Sequence, residues 1–288
     1  MGERDRQRDR NLTLVIGGTG KTGRRVTQRL GTGGIPIRLG SRTGTPPFDW
    51  DDAATWAPAL DGVRSAYVTY QPDLAFPGGA ERVHGLAELA VVSGVERLVL
   101  LSGRNEPGAV LGEDAVQESG AEWTIVRSSF FAQDFSEAFF LEPVLRGELA
   151  FPAGETAEPF IDAEDIADIV AAALTDDRHL GQLYEATGPR LLTFAEAVAD
   201  IAHATGREIR YVPISGEQFA SALAEDGLPP DDVTAFTDLF TMVLDGRSAY
   251  VTDGVRRALG REPRDFRSFA LDTGASGVWD VPITRSAR

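Results

Sequence analysis

The stretch from Leu12 to Gly23, LTLVIGGTGKTG, constrains the fold of this chain more than any other. A short apolar run, Leu12-Thr13-Leu14-Val15-Ile16, leads directly into Gly17, Gly18, Gly20 and Gly23. An amphipathic segment, Lys21 to Leu30, follows. That order predicts a strand, a glycine-rich turn and a helix. Gly17 permits the tight turn, Gly20 lets backbone approach a ligand, and Gly23 lets the helix lie close on the strand. The first N–H groups of the helix and its dipole then favour a phosphate. The expectation is a dinucleotide site built from Gly17, Gly18, Thr19, Gly20, Lys21, Thr22 and Gly23.

Composition narrows the remaining classes. The chain has 288 residues, 42% hydrophobic and 25% charged, which suits a folded chain with one large domain or a main and a smaller one. It has no cysteine, so disulfides, thiolate metal sites and a cysteine nucleophile are excluded. The histidines, His84, His179 and His203, stand far apart and show no metal-ligand spacing, so no metal is expected. A formal charge of −16 repels nucleic acid phosphates, so no nucleic acid partner is expected. Residues 1–11 read as a mobile charged tail without the apolar core of a signal peptide, and no long apolar run follows. The expectation is a cytoplasmic protein without membrane contact, a monomer or homodimer, acting on a small molecule.

The rest of the chain alternates strands and helices. Ile35 to Leu39 reads as a second strand ending in Gly40-Ser41-Arg42. No acid stands there to hold a ribose 2′-hydroxyl; Arg42 offers its fork of donors to a 2′-phosphate instead. NADP(H) is therefore the preferred cofactor, with NAD(H) second. Ser65 to Tyr70 is a third strand, bringing Thr69, Tyr70 and Gln71 to the ligand edge. Gly79 to Ser93 is a helix, Arg97 to Leu101 a central strand ending in Ser102-Gly103, Glu113 to Ser119 a short helix, and Trp123 to Val126 a further strand. That strand runs into Ser128, Ser129, Phe130 and Phe131. Thr193 and Glu196 form a capping box for a helix stopped by Gly206. The fold class is α/β, a Rossmann-type doubly wound parallel sheet. The expected division is a nucleotide-binding domain over 12–187 and a smaller, mostly helical substrate-binding or lid domain over 188–288.

These residues resemble the NmrA-like branch of the atypical short-chain dehydrogenases/reductases. The motifs that carry the resemblance are GGTGKTG, FDWDDAATW (Phe48 to Trp56), RLVLLSG (Arg97 to Gly103) and WTIVRSSFFAQDFSE (Trp123 to Glu137). PFIDAEDIA (Pro159 to Ala167), YEATGPRLLTFAE (Tyr184 to Glu196) and GREPRDFRSF (Gly260 to Phe269) complete it. Within that branch the chain is most similar to the agroclavine dehydrogenase/festuclavine synthase type of alkaloid reductase, and it also resembles atypical ketoreductases that tailor polyketides. The resemblance implies an extended Rossmann domain, NADP(H), and a role in secondary metabolite biosynthesis. Two positions depart from the branch: Ser128 stands where proline is usual, and Asp134 where asparagine is frequent.

The wider superfamily reduces carbonyls with a Tyr-x-x-x-Lys pair, in which tyrosine gives the proton. Lys21 is the only lysine of this chain, so that pair does not exist. Either the substrate needs no protein acid, as for an iminium carbon or a ketone that finds its proton on a neighbouring phenol or water, or another side chain serves. Ser102 is the catalytic candidate, with Glu113, Asp134 and Tyr70 as further proton donors by topology. Ser102, Ser129 and Phe130 are expected beside the cofactor, and Phe131, Asp134, Phe135 and Phe160 beside a flat substrate. The expected reaction is hydride transfer to a C=O or C=N carbon of a bulky aromatic metabolite. The alternatives are a nucleotide-sensing regulator without turnover and a quinone reductase.

Overall fold

The computed structural model describes residues 12–281; the expected tail lies outside them. Contacts divide the chain into two units. The first comprises residues 12–129, 163–187 and 252–263; the second comprises 130–162, 188–251 and 264–281.

The first unit holds the parallel sheet. In chain order its elements are β1 (Leu12–Ile16), α1 (Lys21–Thr32), β2 (Ile37–Gly40), β3 (Val63–Val68), α2 (Gly79–Val92), β4 (Arg97–Gly103), α3 (Pro107–Glu118), β5 (Glu122–Ser128), α4 (Ala163–Thr175) and β6 (Gln182–Ala186). A further helix, α5, spans Gly254–Leu259. The six strands pair in parallel in the order β2-β1-β3-β4-β5-β6. Both faces of such a sheet are covered, which is why its strands read as apolar runs. Leu14, Ile16, Val68, Leu98, Leu100 and Ile125 are buried together with Val83, Leu86, Ala87 and Ala90 of α2. The chain leaves β1 toward β2 on one side and returns to β3 on the other. That reversal marks the crevice where open α/β sheets take ligands, beyond the carboxyl ends of their strands.

Two boundaries differ from the sequence expectation. The N–H of Ile35 is taken by the Leu30 carbonyl at 3.0 Å, so Ile35 still closes α1 and β2 begins at Ile37. The helix expected from Glu113 begins at Pro107, where a missing N–H costs nothing.

The second unit is built on aromatic packing. Every phenylalanine of the chain except Phe48 and Phe76 falls in it. Phe135, Phe140, Phe151, Phe160, Phe194 and Phe266 form one core, with ring centroids 4.9 Å apart for Phe140 and Phe151 and 5.1 Å for Phe160 and Phe194. Edge-to-face pairs of this kind add to the area they bury. Trp279 closes the core and donates its indole N–H to the Phe135 carbonyl at 2.8 Å. The Thr193–Glu196 capping box opens the helix Phe194–Thr205. The segment Phe130–Asp162, expected within the first domain, belongs to this second unit because its phenylalanines pack there.

Candidate functional site

The glycine turn after β1 has the geometry its residues dictate. Gly17 takes a positive φ of 64° and donates its N–H to the Gly40 carbonyl at 2.9 Å, tying the turn to the end of β2. A side chain at Gly23 would collide with the Gly17 carbonyl, so only glycine lets α1 lie this close to the turn. Thr69 and Gln71, just beyond β3, border the same turn. A Cβ at Gly17 would meet Thr69 Cγ2 at 2.9 Å, and one at Gly20 would meet the Gly17 carbonyl at 3.2 Å and Gln71 Nε2 at 3.6 Å.

Gly20 is the N-cap of α1. No side chain caps the helix there and no acid stands in its first turn. A dinucleotide phosphate fits this cradle: donors converge, negative charge is absent, and the space is one that a Cβ would fill. Bound there, NADP(H) would supply hydride chemistry, with the turn Gly17–Gly23 as the pyrophosphate holder. Arg42, two residues past β2, is exposed and makes no hydrogen bond or ion pair among the described residues. Ser41 shapes its loop by accepting from the N–H groups of Gly44 and Phe48, both at 2.9 Å.

The turn is anchored from behind. Arg25 and Arg29 of α1 bind Glu164 of α4 at 2.6 and 2.7 Å, Arg29 also binds Asp168, and Arg261 joins Asp165 at 2.7 Å and Asp168 at 2.5 Å. Burial alone would raise the Glu164 carboxyl, but hydrogen bonds from Arg29 and Arg25 outweigh it and hold it below the usual glutamate range. From the sheet side, buried Tyr67 donates its hydroxyl to Thr22 at 2.8 Å, so the Thr22 side chain faces the core rather than a ligand. Burial pushes the Tyr67 phenol far above its ordinary range, and its proton is held by Thr22.

The FDWDDAATW motif sets the end of β3. Trp50 packs edge-on against Phe48, Trp56 and Tyr70, at 5.1, 5.8 and 5.2 Å, and donates to the Thr69 carbonyl at 3.2 Å. The Tyr70 hydroxyl accepts from Arg82 at 3.1 Å.

At the end of β4, Ser102 donates to Glu113 Oε1 at 2.6 Å, and Arg127 grips both oxygens of that carboxylate at 2.5 to 3.0 Å. Glu113 is 1% exposed. The Ser102 proton is thus committed to Glu113. Ser129 is buried and donates its N–H to the Ala186 carbonyl at 3.2 Å.

In the second unit the four substrate candidates part company. Phe135 and Phe160 are 0% and 2% exposed and lie within the aromatic core, so they offer no face to a substrate. Phe130 stacks on Phe240 at 5.9 Å and stands edge-on to Phe194 at 5.6 Å. Phe131 is half-buried and bridges to Ile161; Asp134 opens the short helix Asp134–Glu137.

Sequence reasoning missed a second acid group. Asp73, past β3, and Glu106, past β4, lie close enough for the charge of one to bear on the other. Glu106 is 9% exposed, and its Oε2 has no hydrogen-bond donor among the described residues. Its carboxyl lies so close on Gly103 that any Cβ there would overlap it. Burial, then the nearby charge of Asp73 and that of Glu113, hold Glu106 well above the usual glutamate range. Burial also raises Asp73, against the Ala75 N–H that donates to it at 2.8 Å. The only sequence signal was the acid itself, just before Pro107.

Comparison with known proteins agrees with this geometry. The NmrA-like family model matches residues 112–259. The NAD(P)H azoreductase of Xenophilus azovorans is 32% identical over 90% of this chain and 96% of its own length. Agroclavine dehydrogenase of Claviceps fusiformis is 28% identical over 92% and 98%. Among solved structures, the NADPH-dependent quinone oxidoreductase QOR2 of Escherichia coli in complex with NADPH superposes with a TM-score of 0.75 at 17% identity, covering 91% of this chain and 99% of that one, which establishes the fold. The glycine turn, the six-stranded parallel sheet and these likenesses lead to one assignment: the chain belongs to the NmrA-like family.

Proposed function

We propose that this protein is an NADPH-dependent reductase that delivers hydride to a C=O or C=N carbon of a bulky aromatic specialised metabolite. The coarser statement, an NAD(P)H-dependent oxidoreductase, draws on relatives that carry such names and span nearly the whole chain. The observation that carries it here is the uncapped, acid-free start of α1, lined by Gly17, Gly18 and Gly20 and bordered by Thr69 and Gln71. Exposed Arg42 at the end of β2 supports preference for the 2′-phosphate of NADP(H). The half-buried rings of Phe130 and Phe131 support a flat, apolar substrate. Much of the rate then comes from holding cofactor and substrate in register.

Loss of nicotinamide absorbance, followed with polycyclic ketones, cyclic imines and quinones under NADPH and NADH, tests this reading. Turnover of a ketone or imine with NADPH is the expected result. NADPH binding without turnover of any class would replace the reductase by a nucleotide sensor. Turnover of quinones alone would move the substrate class from ketones and imines to quinones.

A further inference from the structure

We propose that Trp50 is a positioning residue for the dinucleotide: its indole N–H holds the segment Thr69–Gln71 against the glycine turn, and it acts on nucleotide affinity through Gln71. The proposal rests on the nucleotide-binding reading above and adds to it a residue from outside the turn. β3 stops at Val68, so Thr69 and Gln71 lie beyond the last residues that the ladders to β1 and β4 hold. The Thr69 carbonyl is held instead by Trp50 Nε1, which donates to it at 3.2 Å from 19 residues away in the chain. The same segment meets the turn. A Cβ on Gly17 would touch Thr69 Cγ2 at 2.9 Å, and one on Gly20 would stand 3.6 Å from Gln71 Nε2. Gln71 is exposed, and its amide brings two donors beside the uncapped start of α1.

Trp50 is held in one orientation. Its ring packs against Phe48, Trp56 and Tyr70. The loop that carries it is closed on itself: Trp56 Nε1 donates to the Asp49 carbonyl at 2.7 Å, and the Asp49 N–H donates to Thr55 Oγ1 at 3.0 Å. The next residue repeats the link to the same segment. Asp51 pairs with Arg82 of α2 at 2.9 Å, and Arg82 donates to the Tyr70 hydroxyl at 3.1 Å. Two successive residues of one loop thus reach Thr69 and Tyr70 in turn, Trp50 directly and Asp51 through Arg82. The Asp51 carboxylate is exposed, so its pair contributes little. The indole is half-buried and can only donate, which gives its bond to the carbonyl a fixed sense. All of these residues belong to the first unit. Phenylalanine at position 50 keeps an aromatic ring there and loses the N–H.

A double-mutant cycle read by calorimetric titration of NADPH tests this. Trp50→Phe should raise Kd about three- to tenfold, the worth of one neutral hydrogen bond. In a Gln71→Ala background the same substitution should change Kd less than about twofold, because the side chain that Trp50 positions is gone. A support role that does not act through Gln71 would give the full loss in both backgrounds, and that result would overturn the proposal, as would wild-type affinity in Trp50→Phe. A wild type that binds no NADPH would defeat the nucleotide-binding reading and this inference with it; binding with independent losses would defeat this inference alone. Should Trp50→Phe not fold, the wild type carries the test. A bond that favours bound nucleotide is favoured by it to the same factor. Saturating NADPH should therefore slow solvent exchange of the Trp50 indole hydrogen, followed by nuclear magnetic resonance, at least about threefold more than that of Trp56 in the same loop. Equal slowing at the two would overturn the positioning role.

Discussion

At the residue scale the chemistry concentrates in few side chains, and they differ in how far sequence revealed them. Gly17 and Gly23 were legible because each answers a steric demand, a left-handed turn and a close helix approach, that no other residue meets, and the collision a Cβ would suffer at Gly23 is present. Thr22 was legible only as part of the motif; its hydroxyl turned out to serve Tyr67, a pairing across 45 residues. Ser102 was picked for its place at a strand end, but its partner Glu113, and the Arg127 that holds Glu113, come from separate elements. Asp73 and Glu106 were invisible because pairing of like charges is set by tertiary proximity alone. Arg42→Ala should weaken NADPH binding about ten- to hundredfold, the worth of one or two charge-assisted bonds, and leave NADH nearly unchanged. Calorimetry with both nucleotides checks this; equal loss for the two would remove the phosphate role.

At the element scale, α1 holds the turn in place, and α4 holds α1. The Arg25/Arg29–Glu164 pairs are partly exposed, so each is worth about 1 kcal/mol at most. Glu164→Gln should therefore lower the melting temperature by a few degrees near neutral pH without unfolding the protein. Because the Glu164 carboxyl is held below its unfolded value of 4.5, its contribution is present above that pH and is lost as pH falls through the folded value. The wild-type and variant melting curves should converge in acid; a gap that widened there would contradict the sign. These pairs link segments about 135 residues apart, and periodicity within either helix carries no sign of them.

At the scale of the whole molecule, the parallel, doubly wound type of the sheet was legible because strand and helix periods alternate with glycine and proline punctuation. The division of the chain was not. A split at Thr187 follows chain order, whereas contacts assign Phe130–Asp162 to the second unit through rings spread from Phe135 to Trp279. Stability should reflect buried acids as well as surface pairs. The folded Glu106 carboxyl binds its proton more tightly than an unfolded glutamate at 4.5, so stability from this source is full below that pH and is lost as pH rises. Glu106→Gln should thus gain stability relative to wild type from acid to neutral pH, read as a rising difference in denaturant midpoint; a falling difference would contradict it. The net charge of −16 adds self-repulsion. Raising salt from about 0.1 M to about 1 M, which shortens the screening length from about 10 Å to about 3 Å, should raise the melting temperature.

The account stands on the glycine cradle at the start of α1, and calorimetric titration of NADPH into the wild type and Gly20→Val addresses it most directly. The branched side chain would press on the Gly17 carbonyl and the Gln71 side chain and fill the space assigned to the pyrophosphate. Saturable binding by the wild type, tighter for NADPH than NADH, and no measurable binding by a folded Gly20→Val is the predicted result. Binding retained in that variant would contradict the account.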